Sequence, residues 1–406
     1  MKPWRIAAAG LVSLAVAMGI GRFAFTPLLP MMLADGVLDL PTASWLASAN
    51  YFGYLVGALL CTFQPWIWRR LGNPPPIKPT AVVRAGLVAT ALLTLGMALH
   101  WPAAWPLLRF AAGVTSAFVF VYTSGWCLAQ LAQRGVPATG ALIYTGPGAG
   151  IVLSGLAASA MVALQWQAAA GWLLFGVLAA VLAALVWPVF HPRNEAHSAS
   201  PDRPAATAAP TGRDQGGIGL LTLAYGLAGF GYIITATFLP VIARQALPGS
   251  PWLDLFWPIF GLGVVLGALG ASRIPATANR LVLLAACYFV QAAGVAASLV
   301  SPSLAGFAAG SLLLGLPFTA ITFFAMQEVR RLRPEHVAST MGLLTAMYGV
   351  GQIVGPPLAA AMLARSATPG LGFTRALEFA ASALLAGALL YLWIARRAPS
   401  PAPAGR

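Results

Sequence analysis

Long apolar runs separated by short polar breaks dominate the chain. A membrane-spanning helix needs about 20 mostly apolar residues. On that rule twelve spans are predicted, at roughly 5–34, 43–67, 80–100, 104–132, 138–162, 168–190, 218–245, 252–272, 279–299, 303–328, 336–363 and 373–395. Between the sixth and seventh lies a stretch rich in Pro, Ser, Ala and Arg without apolar periodicity, which reads as a flexible linker. The expected organisation is an all-α membrane protein of two six-helix bundles, residues 1–190 and 218–398. A cytoplasmic linker at 191–217 joins them, and a tail at 399–406 follows.

Composition agrees with the pattern. Hydrophobic residues make up 59% of the 406 and charged residues 8%, against about 25% charged in an ordinary soluble domain. The net charge of +14 would suit a nucleic-acid binder only if the basic residues clustered on a soluble face. Instead they fall in short loops. With the N-terminus inside, eighteen of the 23 Lys and Arg residues lie on the inner side, Arg244, Arg365 and Arg375 lie outside, and Arg22 and Arg109 lie within spans. That asymmetry is the positive-inside pattern and predicts both termini in the cytoplasm. Lys2 and Arg5 before an apolar run imitate a signal peptide, but the run continues to Ala34 without a convincing cleavage site, so a retained first helix is expected.

The halves resemble each other. Gly19-x-Gly21-Arg22 with Leu29-Pro30 aligns with Gly229-x-Gly231-Tyr232 with Leu239-Pro240 at one constant offset. Gly140 and Gly146-Pro147 align in the same way with Gly349 and Gly355-Pro356. Parallel six-helix repeats with a site at their interface are an established transporter plan.

Twelve spans, a central loop and this repeat resemble the major facilitator superfamily over the whole chain. Four stretches are similar to its YbfB/YjiJ branch of bacterial transporters. They are Gly19-Ile-Gly-Arg-Phe-Ala-Phe-Thr-Pro-Leu-Leu-Pro30, Ala49-Asn50-Tyr51-Phe52-Gly53-Tyr54, Gln327-Glu328-Val329-Arg330-Arg331 and Tyr348-Gly-Val-Gly-Gln-Ile-Val-Gly-Pro-Pro357. Arg109-x3-Gly113-x3-Ala117 looks like the fourth-helix arginine motif linked to proton coupling in some members. Gly146-Pro147-x2-Gly150 looks like the fifth-helix motif frequent in exporters. The loop Arg69-Arg70-Leu71-Gly72-Asn73-Pro74 departs, lacking the acidic residue of the family's gating motif.

Arg22 is the chemical oddity. A guanidinium near mid-bilayer costs about 2.5–3.5 kcal/mol on the lenient insertion scale, and all nine acidic residues lie toward one membrane face or the other. Arg22 must therefore use carbonyls, hydroxyls, water or a bound anion, either as a clamp between helices or as part of a solute site. Pro27 and Pro30 are expected to free the carbonyls four residues back, at Phe23 and Thr26. Arg109, near a helix end, either snorkels to the interface or faces the cavity. Asn50 and Tyr54 share a helix face and line a cavity or bond between helices. Tyr144, Tyr232, Tyr348 and Gln352 sit in repeat-related helices and complete the candidate set. The clusters at Gly146-Pro147 and Gly355-Pro356 are assigned to helix packing and rocking. Trp4, Trp101, Trp105, Trp187, Trp252 and Trp393 are expected as interface anchors.

No metal spacing, cofactor fingerprint or catalytic constellation is present in the spans, and Cys61, Cys127 and Cys287 read as buried free thiols. The expectation is a monomeric secondary transporter of the bacterial inner membrane, not an enzyme, without a cofactor. It moves a small polar or anionic molecule by alternating access, with coupling to a proton or counter-ion open. A non-transporting sensor or receptor on the same scaffold and a multidrug or metabolite exporter are the alternatives.

Overall fold

The structure is a computed structural model that describes residues 1–72, 75, 78–191, 215–250, 252–275, 277–333 and 337–397. Twelve of its helical segments are long and apolar enough to cross a membrane. They are α1 (Pro3–Ala34), α2 (Leu40–Gln64), α3 (Pro79–Gly96), α4 (Pro102–Gln133), α5 (Thr139–Ala163) and α6 (Ala168–Val186). The rest are α7 (Gly217–Ala246), α8 (Leu253–Ala271), α9 (Arg280–Val300), α10 (Leu304–Leu332), α11 (Thr340–Ala364) and α12 (Gly370–Arg397). The twelve expected spans are all found. Most of the expected linker at 191–217 and the tail at 399–406 lie outside the described residues.

Local chemistry sets the helix starts. Asp39 caps α2 by accepting from the Thr42 N–H, Asn279 caps α9, and Ser303 caps α10. Inside the spans, hydroxyls turn back on their own helix: Thr90 donates to the Gly86 carbonyl at 2.8 Å and Thr94 to Thr90 at 2.7 Å. Such bonds satisfy a polar group where lipid offers no partner.

Helices α1 and α7 are the centre of the bundle. In their most apolar stretches 83% and 89% of residues are buried, against 28–56% in the other ten spans. The exposed large side chains of the outer helices, such as Leu107, Leu185 and Val300, are what a surface dissolved in lipid tails requires.

Glycines decide how closely the central helices approach. A Cβ on Gly150 of α5 would lie 2.6 Å from the Ala15 carbonyl oxygen and 2.8 Å from the Gly19 Cα of α1. The repeat-related pair behaves alike: Gly351 of α11 packs on the backbone of Gly226–Phe230 in α7, and Gly229 packs on Tyr348. Of the aligned glycines, Gly19 with Gly229 and Gly146 with Gly355 thus serve equivalent helix pairs, whereas Gly21 meets Thr90 of α3 and Gly231 meets Leu384 of α12. Gly148 and Gly261 face each other where α5 meets α8, and Gly155 meets the Pro258 ring there. With no side chain between them, the backbones come into direct contact.

Among the expected interface tryptophans, Trp4, Trp101, Trp187, Trp252 and Trp393 are exposed. Trp105 is not. It is buried, donates to the Leu99 carbonyl, and lines a cavity of about 180 Å³ with Asp35, His100 and Trp172.

Candidate functional site

The first helix does not run as one α-helix. Ala15–Ile20 is a π-helical stretch, in which the Gly21 N–H reaches back five residues to Val16 and the Phe23 N–H to Met18. The α-helix resumes at Phe25. Gly19 and Gly21 sit within this break, against Gly150 on one side and Thr90 on the other. Single π-turns of this kind are frequent at functional sites.

The break frees carbonyls, and side chains from α4 take them. Arg109 donates from Nη1 to the Gly21 carbonyl at 3.3 Å and from Nη2 to the Arg22 carbonyl at 3.0 Å. Ser116, two turns on, donates to the Ala17 carbonyl at 2.6 Å. The Phe25 ring covers the Arg109 guanidinium, 4.9 Å away. Arg109 is therefore buried and points into the protein, not to the interface. The carbonyls in use differ from those expected from the prolines. Phe23 already accepts from the Thr26 N–H, because the chain changes helical register a turn before Pro27 and Pro30.

Arg22 points the other way, across to the second half of the chain. Its Nη2 donates to Gln352 Oε1 of α11 at 2.8 Å, and Gln352 Nε2 in turn donates to the Tyr232 hydroxyl of α7. The guanidinium lies 4.0 Å from the Tyr54 ring centroid and 5.4 Å from that of Tyr51. A cation over an aromatic face gains about 0.5–2 kcal/mol, more when desolvated. Its Nε has no partner. Neither of the two ion pairs among the described residues, Arg244–Asp254 and Arg331–Glu328, involves it or Arg109.

Rings surround the Arg22–Gln352 pair. Tyr232 stacks on Tyr348 with centroids 5.8 Å apart and lies 5.1 Å from Phe318. Phe23 is 6.0 Å from Phe318 and 6.2 Å from Trp257. Further bonds tie the same helices: Thr26 to the Ala236 carbonyl at 3.1 Å, Tyr51 to Thr237 at 3.0 Å, and Ser48 to the Ile353 carbonyl at 2.8 Å. The arrangement can hold a negative charge at one point inside an aromatic enclosure.

The family model described as "Uncharacterised MFS-type transporter YbfB" matches residues 14–392. The chain belongs to this family of major facilitator superfamily transporters. Solved structures of other transporters share its fold. A mutant of the nucleoside transporter NupG is 14% identical, with a TM-score of 0.74 over 96% of this chain and 99% of that one. The human organic anion transporter MFSD10 (TETRAN) is 16% identical, with a TM-score of 0.62 over 96% and 100%. A bacterial homologue of the human lysosomal transporter Spinster is 12% identical, with a TM-score of 0.67 over 98% of each chain. No curated protein matches the chain.

For this YbfB-family chain the candidate residues divide by position. Arg22, Tyr54, Tyr232, Tyr348 and Gln352 meet in one cluster. Asn50 stands behind it, donating to the Arg109 backbone carbonyl at 2.9 Å, with its Oδ1 unpartnered. Tyr144 does not join them. It sits in the 3₁₀ stretch Pro137–Thr145 that opens α5, and its ring packs on Phe120, 6.2 Å away. Gly146 rests on the Leu11 carbonyl and Gly355 on Ile233, with Pro147 and Pro356 buried beside them. Sequence reasoning missed Ser116, Thr237, Trp257 and Phe318. A lone hydroxyl or ring in an apolar helix looks the same whether it faces lipid or the interior.

Proposed function

We propose that the protein is a secondary transporter that carries a small polar or anionic solute by alternating access, with Arg22 at the solute site. The observation that carries this reading is a buried guanidinium, bonded to the neutral Gln352 and ringed by aromatics, with no carboxylate beside it. Leaving a cation in this state costs free energy that a purely structural residue would avoid, and intramembrane ionisable groups mark solute pathways.

The location supports the mechanism. Arg22 on α1, Tyr54 on α2, Tyr232 on α7 and Gln352 on α11 come from both sequence halves, so rocking one half against the other would make and break the cluster. An anion that binds Arg22 supplies differential contacts that shift such an equilibrium. The loop-charge asymmetry supports a bacterial inner-membrane location with both termini cytoplasmic, and a single chain suffices for the site.

The test is counterflow in proteoliposomes with panels of organic anions and cations. Wild-type protein is expected to favour anions or neutral polar solutes, and Arg22→Gln to abolish transport while the purified protein keeps a monodisperse, cooperatively unfolding state. Normal transport by Arg22→Gln would overturn the site, and a preference for lipophilic cations would overturn the solute class.

A further inference from the structure

We infer that the solute is a flat aromatic monoanion whose carboxylate takes the place of the Gln352 carbonyl on Arg22. This rests on the reading of Arg22 as the solute site and narrows it in charge and in shape.

The charge follows from how the two buried guanidiniums are occupied. Both terminal nitrogens of Arg109 are held by the Gly21 and Arg22 carbonyls, and the Phe25 ring lies against it. It can offer no fork to a ligand without releasing the helix break. Arg22, a residue 4% exposed, donates from Nη2 to a neutral side-chain amide oxygen. The Nε of both guanidiniums is buried without a partner, but only on Arg22 is the neighbouring terminal nitrogen held by a side chain that can turn away. One guanidinium is open, so one carboxylate can be matched. The second charge of a dianion would be buried without a counter-charge, which is costly.

The Gln352 amide already occupies the position of such a ligand. Its Oε1 stands 2.8 Å from Arg22 Nη2 where an anion oxygen would sit, and its Nε2 is turned to Tyr232. A carboxylate on guanidinium makes shorter bonds, roughly twice as strong as neutral ones, and binds in a bidentate fork. That fork would use the unpartnered Nε, which the single amide oxygen leaves idle. Exchange therefore favours the anion, and it cuts the link between α1 and α11 that Gln352 maintains.

The shape follows from the walls. Tyr54, Tyr51 and Phe23 lie against the guanidinium at 4.0, 5.4 and 5.3 Å, and Phe318 and Trp257 continue the ring set from Phe23. Three of the tyrosine hydroxyls are engaged, Tyr51 with Thr237, Tyr225 with Thr322, and Tyr232 with Gln352. A solute rich in hydroxyls would find few free partners, whereas a planar ring gains stacking and edge contacts on every side.

The experiment measures binding to the full chain in detergent by calorimetry, and counterflow in proteoliposomes, with benzoate, benzamide, phthalate and acetate as probes. Benzoate is expected to bind about tenfold or more tightly than each of the other three: benzamide lacks the charge-assisted bond, acetate lacks the ring, and phthalate brings a second, unmatched charge. Gln352→Glu fixes a carboxylate on Arg22 within the chain. It should weaken benzoate at least about tenfold while leaving the melting temperature unchanged or higher. Gln352→Ala removes the competing oxygen and should tighten benzoate, and it decides the question if the glutamate variant does not fold. Benzoate affinity unchanged or weakened in Gln352→Ala overturns the displacement. Arg22-dependent binding of phthalate or acetate as tight as benzoate overturns the aromatic monoanion and leaves Arg22 as the site. Binding by Arg22→Gln equal to wild type overturns both.

Discussion

Replacing each buried arginine by methionine separates a structural cation from a functional one. Arg109→Met removes two charge-assisted hydrogen bonds, at 3.3 and 3.0 Å, each contributing about 1.5–3 kcal/mol. It also strands the Gly21 and Arg22 carbonyls, which are main-chain groups at a helix break and cannot turn toward another donor. Against that loss stands relief from burying a guanidinium, about 2.5–3.5 kcal/mol on the insertion scale. The net expectation is destabilisation of about 1–3 kcal/mol. Arg22→Met removes one such bond, at 2.8 Å, and the contact with Tyr54, while gaining the same relief. Its expected net effect is within about 1 kcal/mol of zero. The relief cancels in the comparison, so Arg109→Met should be less stable than Arg22→Met by about 1.5–3 kcal/mol, one charge-assisted bond. Equilibrium unfolding of the two full-length variants in mixed micelles measures this difference, and counterflow reads function beside it. Equal stabilities, or an Arg22 variant that unfolds more easily, would refute the assignment of Arg109 to holding the break in α1.

Two further expectations concern packing and pH. Gly150→Ala forces the Ala15 and Gly19 backbones apart and should cost about 1–3 kcal/mol. Gly125→Ala, where a Cβ meets nothing within 4 Å, should be neutral or stabilise by up to about 1 kcal/mol through helix propensity; unfolding that ranks them the other way would refute the close approach of α1 and α5. The Thr42 side chain and then its N–H, which donates to Asp39 at 2.9 Å, hold the Asp39 carboxyl below the ordinary value. A carboxyl with a lowered folded pKa stabilises above its unfolded value, near 3.9, and loses that contribution as pH falls through the folded one. The melting temperatures of wild type and Asp39→Ala should therefore differ at neutral pH and converge in acid. A difference that persists below pH 3 would rule out the charged cap.

The site was legible where a residue contradicted its surroundings. Arg22 is a cation in an apolar run, and Tyr232 and Gln352 were picked out because the repeat placed them in related helices; all three meet. Position within a helix was less readable. Arg109 has the same composition around it whether it snorkels or turns inward, and only the break at Gly21 and Arg22 gives it somewhere to go. Tyr144 satisfied the same repeat argument as Tyr348, yet the 3₁₀ opening of α5 rotates it onto Phe120. Pro27 and Pro30 marked an irregular helix, but the irregularity lies earlier, at Ala15–Ile20. A π-turn leaves no residue type as its signature.

Hydrophobic run length, loop charge and the glycine–proline repeat determined by themselves the twelve spans, the family likeness and the presence of an uncompensated cation within the membrane. These are one-dimensional quantities: length against bilayer thickness, charge against side, spacing against helical period. Tertiary structure alone decided which arginine remains open and what stands in front of it. That depends on contacts across 87 residues between Arg109 and Arg22 and across 330 between Arg22 and Gln352, and on glycine contacts that bring α1 against α5 and α11 against α7. In an apolar solvent hydrophobicity no longer distinguishes inside from outside, so packing, not composition, settles which polar atoms face one another.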